Sequence, residues 1–249
     1  MSPADIWIAN FTKNPHARLR LFCFPYAGAG ALSFRQWSSG LPLECEVNAI
    51  RLAGRETRLL ESPITDLPAL VSTLTGVLYP YRLDRPFAFF GHSLGALVAF
   101  ELARNLKHKY EISPIHLFAS GRIAPHLEDP RPAIHSLPRR EFLDKLRELN
   151  GTPDEVLDAP EMAPVLNSLR ADFALNETYR YQQGAPLDVP ISAFGGIDDT
   201  KVSKEELTGW QMHTSKRFKL RMFPGDHFFI NSSRTAVLRA IIQELSLSI

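Results

Sequence analysis

From about residue 18 onward the chain alternates short apolar runs with amphipathic stretches, a rhythm that predicts strands interleaved with helices around a mostly parallel sheet. The apolar runs predict strands over Arg18–Phe24, Val47–Leu52, Pro86–Phe90, Ile115–Ser120, Val189–Phe194 and Arg217–Phe223. Phe87-Ala88-Phe89-Phe90 is apolar at every position, as a central strand covered on both faces requires. In the last run Arg217, Lys219 and Arg221 instead alternate with Phe218, Leu220 and Met222. That alternation predicts a strand near the sheet edge with one wet face, whose cations discourage further pairing.

Helical patterns fill the intervals. Leu67, Leu70, Val71, Leu74 and Leu78 form one apolar stripe of a helix, and Leu94–Leu106 is apolar around most of its circumference, with Glu101, Arg104 and Lys107 outside. Ser203-Lys204-Glu205-Glu206 reads as a capping box opening another helix, and a last helix is predicted from about Ser232 to Leu247. Between Gly121 and Pro186 no strand-like run occurs. Two helical stretches stand there, Arg139–Leu149 and Glu161–Tyr181, which predicts a helical insertion (about 121–186) within a single domain spanning 1–249. Its place between the fourth and fifth predicted strands makes it a candidate lid, with Phe142, Leu143 and Leu146 as an apolar face and Pro130, Pro132 and Pro138 as stiff hinges. A decoration that only covers apolar surface is the alternative.

Composition narrows the function classes. A chain that is 45% hydrophobic and 22% charged, with net charge +1, has an ordinary core and no field drawing it to nucleic acid or anionic lipid. No basic run tracks phosphates, and no apolar run is long enough to span a bilayer. No basic segment followed by an apolar run opens the chain, so a cytoplasmic protein is expected. Cys23 and Cys45 are read as small buried thiols without redox or metal partners.

The chemistry concentrates at three turns. Gly91-His92-Ser93-Leu94-Gly95 joins the all-apolar strand to the all-apolar helix, the strand–turn–helix setting of the G-x-S-x-G nucleophile elbow. Ser93 is therefore the candidate nucleophile. Of eight histidines, His227 alone follows a predicted strand within a turn, whereas His92 is expected to pack beneath the elbow. His16, His108, His126, His135 and His213 are assigned to polar loops or helix surfaces and His116 to mid-strand. Gly195-Gly196-Ile197-Asp198-Asp199 follows another apolar strand and offers two carboxylates that periodicity does not separate. The order Ser…Asp…His is that of the α/β-hydrolase fold, the fold class expected here. An oxyanion hole needs two backbone N–H groups: Leu94, after the nucleophile, and Ala27 in the small-residue loop Phe24-Pro25-Tyr26-Ala27-Gly28-Ala29-Gly30. That loop lacks the Gly-Lys-Ser/Thr ending of a nucleotide-binding loop.

These residues make the chain recognisable. It resembles the type II, stand-alone editing thioesterases of nonribosomal peptide and polyketide synthase systems, on Phe24-Pro25-Tyr26-Ala27-Gly28, Gly54-Arg55-Glu56-Thr57-Arg58, Gly91-His92-Ser93-Leu94-Gly95-Ala96-Leu97, Glu101-Leu102-Ala103-Arg104 and Phe223-Pro224-Gly225-Asp226-His227-Phe228-Phe229. The resemblance runs from about Leu19 to Ile241. Its register, Asp199-Thr200-Lys201-Val202, selects Asp199 over Asp198, with Thr200 standing where the family usually has proline. It implies a catalytic triad of Ser93, Asp199 and His227 that hydrolyses acyl groups from the phosphopantetheine arm of an acyl or peptidyl carrier protein. No metal or organic cofactor is called for, and a monomer is expected. The Gly54-Arg55-Glu56 block is the most specific element, with Arg55 and Glu56 expected either to pair beside the site or to contact substrate. A carboxylester hydrolase, an acyltransferase and a non-catalytic carrier-binding module are the competing readings. Arg131, Arg139 and Arg140 on the lid rim are the candidates to meet an acidic carrier.

Overall fold

The computed structural model describes residues 3–81, 85–148 and 159–246. Its seven strands are β1 (Ile8–Asn10), β2 (Leu19–Phe24), β3 (Cys45–Ile50), β4 (Phe87–His92), β5 (Leu117–Ser120), β6 (Ile191–Gly196) and β7 (Phe218–Phe223). They lie in the order β1-β3-β2-β4-β5-β6-β7, all parallel except β1, which runs antiparallel to β3. All six expected strands are present, with ends shifted by up to two residues. The chain steps outward from β2 to β3 and then returns to β4, so the strand order reverses between β2 and β4. In open parallel sheets the crevice at such a reversal, beyond the carboxyl ends of the strands, is where ligands bind.

β1 has no counterpart among the expected strands. Its three residues make too short a run for an alternation to register, and it exists by pairing Ile8, Ala9 and Asn10 with Ile50, Ala49 and Asn48. β7 is the opposite edge, as its alternating charges require. Its basic face is not simply wet, however. Arg217, Lys219 and Arg221 all reach the Glu244 carboxylate, at 2.7, 2.7 and 2.9 Å.

The helices are α1 (Pro3–Trp7), α2 (Leu67–Tyr81), α3 (Leu94–Tyr110), α4 (Arg139–Glu148), α5 (Ala163–Glu177), α6 (Lys204–Thr208), α7 (Phe229–Ser232) and α8 (Arg234–Ser246). α2 and α3 cover one sheet face, burying the Leu67–Leu78 stripe against Phe22, Phe87 and Phe89. α8 covers the other, with Val237, Leu238 and Ile241 against Phe90, Phe118 and Phe194. The expected capping box is formed: Ser203 Oγ accepts from Glu206 N, and the Glu206 carboxylate accepts from Ser203 N. The expected ends at Leu149 and Leu247 lie outside the described residues.

The insertion carries α4 and α5 and has a small core of its own: Ile134, Phe142, Leu146, Leu166 and Leu169. Its two halves are held differently. α5 is tied to the body of the domain through Ser168, whose hydroxyl donates to the Gly54 carbonyl, and through Asp172. α4 rests on α5 by its apolar face and by the Arg170 guanidinium, stacked 4.0 Å over the Phe142 ring.

Candidate active site

Ser93 occupies the turn between β4 and α3 with φ 52° and ψ −116°, a region side chains rarely enter. Holding it there costs about 1–3 kcal/mol, which the surroundings must impose. They do so from three sides. Ser93 N donates to the Ser120 carbonyl at 2.7 Å, fixing the elbow to β5. The first turn of α3 lies so close to β2 that a Cβ on Gly95 would come 2.0 Å from the Phe24 carbonyl oxygen. Beneath the elbow His92 is fully buried, with Nδ1 2.9 Å from Ser120 Oγ. Burial, and then the nearby His227, push the His92 imidazole well below its ordinary pKa, so it packs there uncharged.

His227 stands in the turn after β7, its ring 5.1 Å from that of His92. Tyr26 contacts both His92 and Phe228, closing the gap between the loop after β2 and the turn after β7. His227 Nδ1 lies 2.8 Å from Asp199 Oδ2. Since a carboxylate only accepts, Nδ1 carries the hydrogen and Nε2 is left as the basic nitrogen. Asp199 Oδ1 accepts from the Lys201 and Val202 N–H groups at 2.8 and 3.3 Å. Burial raises the Asp199 pKa, but the hydrogen bond and attraction to His227 and the two N–H groups outweigh it and hold the carboxyl below its usual value. Asp198 is exposed and turned elsewhere. Its Oδ2 accepts from Gly225 N at 3.2 Å, and its own N–H donates to the Gly225 carbonyl at 3.0 Å.

Leu94 is the first residue of α3, so its N–H lies outside the ladder of that helix. Ala27 sits in a β-turn closed by Ala29 N donating to the Tyr26 carbonyl at 3.0 Å, with Gly28 at φ +79°. A third residue with positive φ is what such a turn demands, hence glycine. Both loops flank the reversal between β2 and β4.

Two expectations need correction. Arg55 and Glu56 do not pair with each other. Arg55 forms a bidentate pair with Asp172 of α5, both contacts at 2.8 Å, while Glu56 accepts from Arg51 at 3.3 Å and from Leu32 N at 2.8 Å. His213 is not on a polar surface. A 3-10 turn (Gly209–His213) folds its ring against Phe100 and Trp210, and Nε2 lies 2.8 Å from His126 Nδ1. Asp172, which pairs with Arg55 and accepts from Gly28 N beside the loop after β2, is not legible as a site residue in the sequence. The available signal was an acidic residue set within the i, i+3 apolar series Leu166, Leu169 and Leu175.

Cys23 is buried and Cys45 half-buried, and both are free. Burial followed by the Glu46 charge pushes Cys45 up to about 12, and burial followed by Cys45 raises Cys23 well above its ordinary value, so both rest as thiols. Among the described residues no group of three or more His, Cys, Asp or Glu side chains could hold a metal ion. No described helix is long and apolar enough to cross a membrane.

Comparison with known proteins places the chain in a family. Residues 19–245 match the thioesterase domain family. The gramicidin S biosynthesis protein GrsT of Aneurinibacillus migulanus is 43% identical over 99% of this chain and 96% of its own length. The thioesterase PikA5 of Streptomyces venezuelae is 37% identical over 92% of this chain and 81% of its own. The solved structure of BorB, a type II thioesterase from the borrelidin biosynthetic cluster, superposes with a TM-score of 0.85 at 34% identity, covering 97% of each chain. The chain belongs to the thioesterase family, as a serine hydrolase of the α/β-hydrolase fold that acts on thioesters.

Proposed function

We propose that this enzyme removes stalled or aberrant acyl groups from the phosphopantetheine arms of carrier proteins, through an acyl-Ser93 intermediate. Ser93 Oγ attacks the thioester carbonyl while His227 Nε2 takes its proton. The oxyanion is held by the Ala27 and Leu94 N–H groups. Collapse breaks the C–S bond, and the sulfur leaves as a thiol with the proton from His227. Water then attacks the acyl-serine, His227 again accepting and returning a proton, and the free acid departs with Ser93 restored. Asp199 keeps Nδ1 protonated and stabilises the imidazolium formed in each half-reaction.

The observation that carries this reading is the 2.8 Å bond between Asp199 and His227, formed across the turns after β6 and β7 beside an elbow that strains Ser93. The carrier-protein partner is supported by relatives that serve gramicidin S and borrelidin biosynthesis. Exposed Arg139 and Arg140 at the start of α4 offer basic contacts for an acidic carrier. The insertion acts as the lid of the acyl site, and the enzyme works as a cytoplasmic monomer.

The test is release of the acid from an acyl-pantetheine thioester by wild type and Ser93→Ala. Loss of turnover by about a thousandfold or more is expected. Turnover by the variant within tenfold of wild type overturns the reading.

A further inference from the structure

The loop that supplies Ala27 is gripped from outside the sheet. Its β-turn uses the Tyr26 carbonyl and the Ala29 N–H for its own closure. The neighbouring groups are taken by other elements. Asp172 Oδ2, from α5 in the insertion, accepts the Gly28 N–H at 2.8 Å. Arg55 Nη1 donates to the Ala29 carbonyl at 2.8 Å and also to Asp172 Oδ2 at 2.8 Å, and Nη2 donates to Asp172 Oδ1 at 2.8 Å. Leu169, one turn before Asp172, lies over the same spot, with Cδ1 3.0 Å from where a Gly28 Cβ would stand. A residue further along, Glu56 Oε1 accepts the Leu32 N–H at 2.8 Å, and a Cβ on Gly30 would meet that oxygen at 2.2 Å. The Ala27 N–H remains outside this set of bonds.

On the functional reading above, we infer that Arg55 and Asp172 are positioning residues that fix the Tyr26–Ala29 turn so that the Ala27 N–H meets the oxyanion, with Glu56 holding the turn's outgoing end. The geometry favours this over a purely structural role. A buried ion pair contributes little stability that a well-packed apolar pair does not, whereas a bidentate fork fixes orientation. Asp172 and Arg55 are 1% and 8% exposed, and each spends a bond on the backbone of the turn itself. An oxyanion donor acts only if it is aimed before the charge develops, and a misplacement of about 1 Å costs on the order of a hundredfold in rate. The insertion therefore helps build the oxyanion hole, besides covering the site. The Gly54-Arg55-Glu56 block acquires a reason: it holds the loop that holds the oxyanion.

The experiment measures kcat and KM on an acyl-pantetheine thioester and the Ki of a trifluoromethyl ketone analogue, which forms a tetrahedral oxyanion on serine. Asp172→Asn, Arg55→Lys and the apolar pair Arg55→Met with Asp172→Leu are compared with wild type, per folded molecule. The expected result is a fall in kcat of about ten- to a hundredfold with KM within threefold, and weakening of Ki by the same factor. The apolar pair leaves the Gly28 N–H and the Ala29 carbonyl without these partners, so it is expected to lower kcat and weaken Ki as the single variants do, whatever its thermal stability. The inference is overturned by kcat within twofold of wild type, by a loss of kcat with Ki unchanged, by recovery of kcat in the apolar pair, or by failure of all three variants to fold. Ser93→Ala in the same series separates the two readings. If it keeps turnover, the functional reading falls. If it is dead while Asp172→Asn turns over normally, only the positioning role falls.

Discussion

Asp199 and His227 are joined by a 2.8 Å hydrogen bond through Oδ2 and Nδ1, while the second oxygen of Asp199 is occupied by the Lys201 and Val202 N–H groups. Asp198, one residue earlier, spends its carboxylate on Gly225. The two aspartates thus have separate duties: one orients the imidazole, the other ties the turn after β6 to the turn that carries it. Asp199→Asn is expected to lower kcat by about a thousandfold or more, because the amide stabilises the wrong imidazole tautomer. Asp198→Asn keeps an acceptor for the Gly225 N–H and is expected to stay within about tenfold. Steady-state turnover of both variants decides the matter, and a reversed order would move the acid to Asp198.

What could be read from the sequence, and what could not, follows the range of the interactions. The elbow is local: an apolar strand, a serine with glycine two residues away on either side and an apolar helix lie within one short segment, so the strained turn at Ser93 is legible. The turn after β7 is legible for the same reason. Only the family register separates Asp199 from Asp198 in the sequence, since both follow one strand and only the fold brings His227 against one of them. The Arg55–Asp172 fork joins residues 117 apart in sequence, beyond the reach of any periodicity. The polar neighbours of His213 suggest a wet turn, whereas a 3-10 segment turns its ring inward.

The insertion should not behave as one mobile flap. α5 is bonded to the body through Ser168 and Asp172, while α4 is held mainly through α5 and has only Phe142 and Leu146 buried. Hydrogen exchange is expected to show α5 protected nearly as well as the central strands, with α4 opening more readily. Equal protection of the two helices would overturn this difference between them.

The edge of the sheet hides a charge. Glu244 is fully buried on α8, and its carboxylate receives Arg217, Lys219 and Arg221 of β7. The three cations are partly exposed and keep their hydration if the carboxylate is removed, so Glu244→Gln is expected to cost only about 1–3 kcal/mol. Replacing all three cations by glutamine instead leaves a buried carboxylate without them, at a cost of about 3–5 kcal/mol. Adding Glu244→Gln to that triple variant should recover stability. Denaturant unfolding of the four proteins gives the cycle, and strict additivity would contradict the account.

Acid should destabilise the fold through its buried imidazoles. His213 is pushed down to about 4, by burial first and then by His126 and Arg104; burial likewise lowers His116 to about 4. The unfolded chain takes up protons at these positions below about pH 6.5, where the folded rings stay neutral. Their contribution is therefore complete above about pH 6.5 and is lost as the pH falls toward about 4, at a slope near 1.4 kcal/mol per unit for each ring. His213→Phe keeps a ring against Phe100 and Trp210 and is expected to reduce that slope by one ring's share. Unfolding free energies measured across this range check it, and an unchanged slope removes His213 from the acid response.

Carrier recognition should reveal itself through salt. The reacting end of the phosphopantetheine arm is the same on a carrier protein and on CoA, so a preference between them must arise from contacts beyond the pocket. Of the three arginines that the sequence offered for this, Arg131 is engaged: its guanidinium clasps Asp129 at 2.6 and 2.8 Å. Arg139 and Arg140 begin α4, exposed. Charges placed there act mainly on the rate of encounter and are screened over about 10 Å at moderate ionic strength. For one acyl group, kcat/KM should favour the carrier-bound form at low salt and lose most of that advantage at high salt. Arg139→Ala with Arg140→Ala should erase the preference at low salt, lower kcat/KM for the carrier, and leave turnover of acyl-CoA unchanged. A preference that survives both salt and the double substitution would place the docking surface elsewhere on the domain.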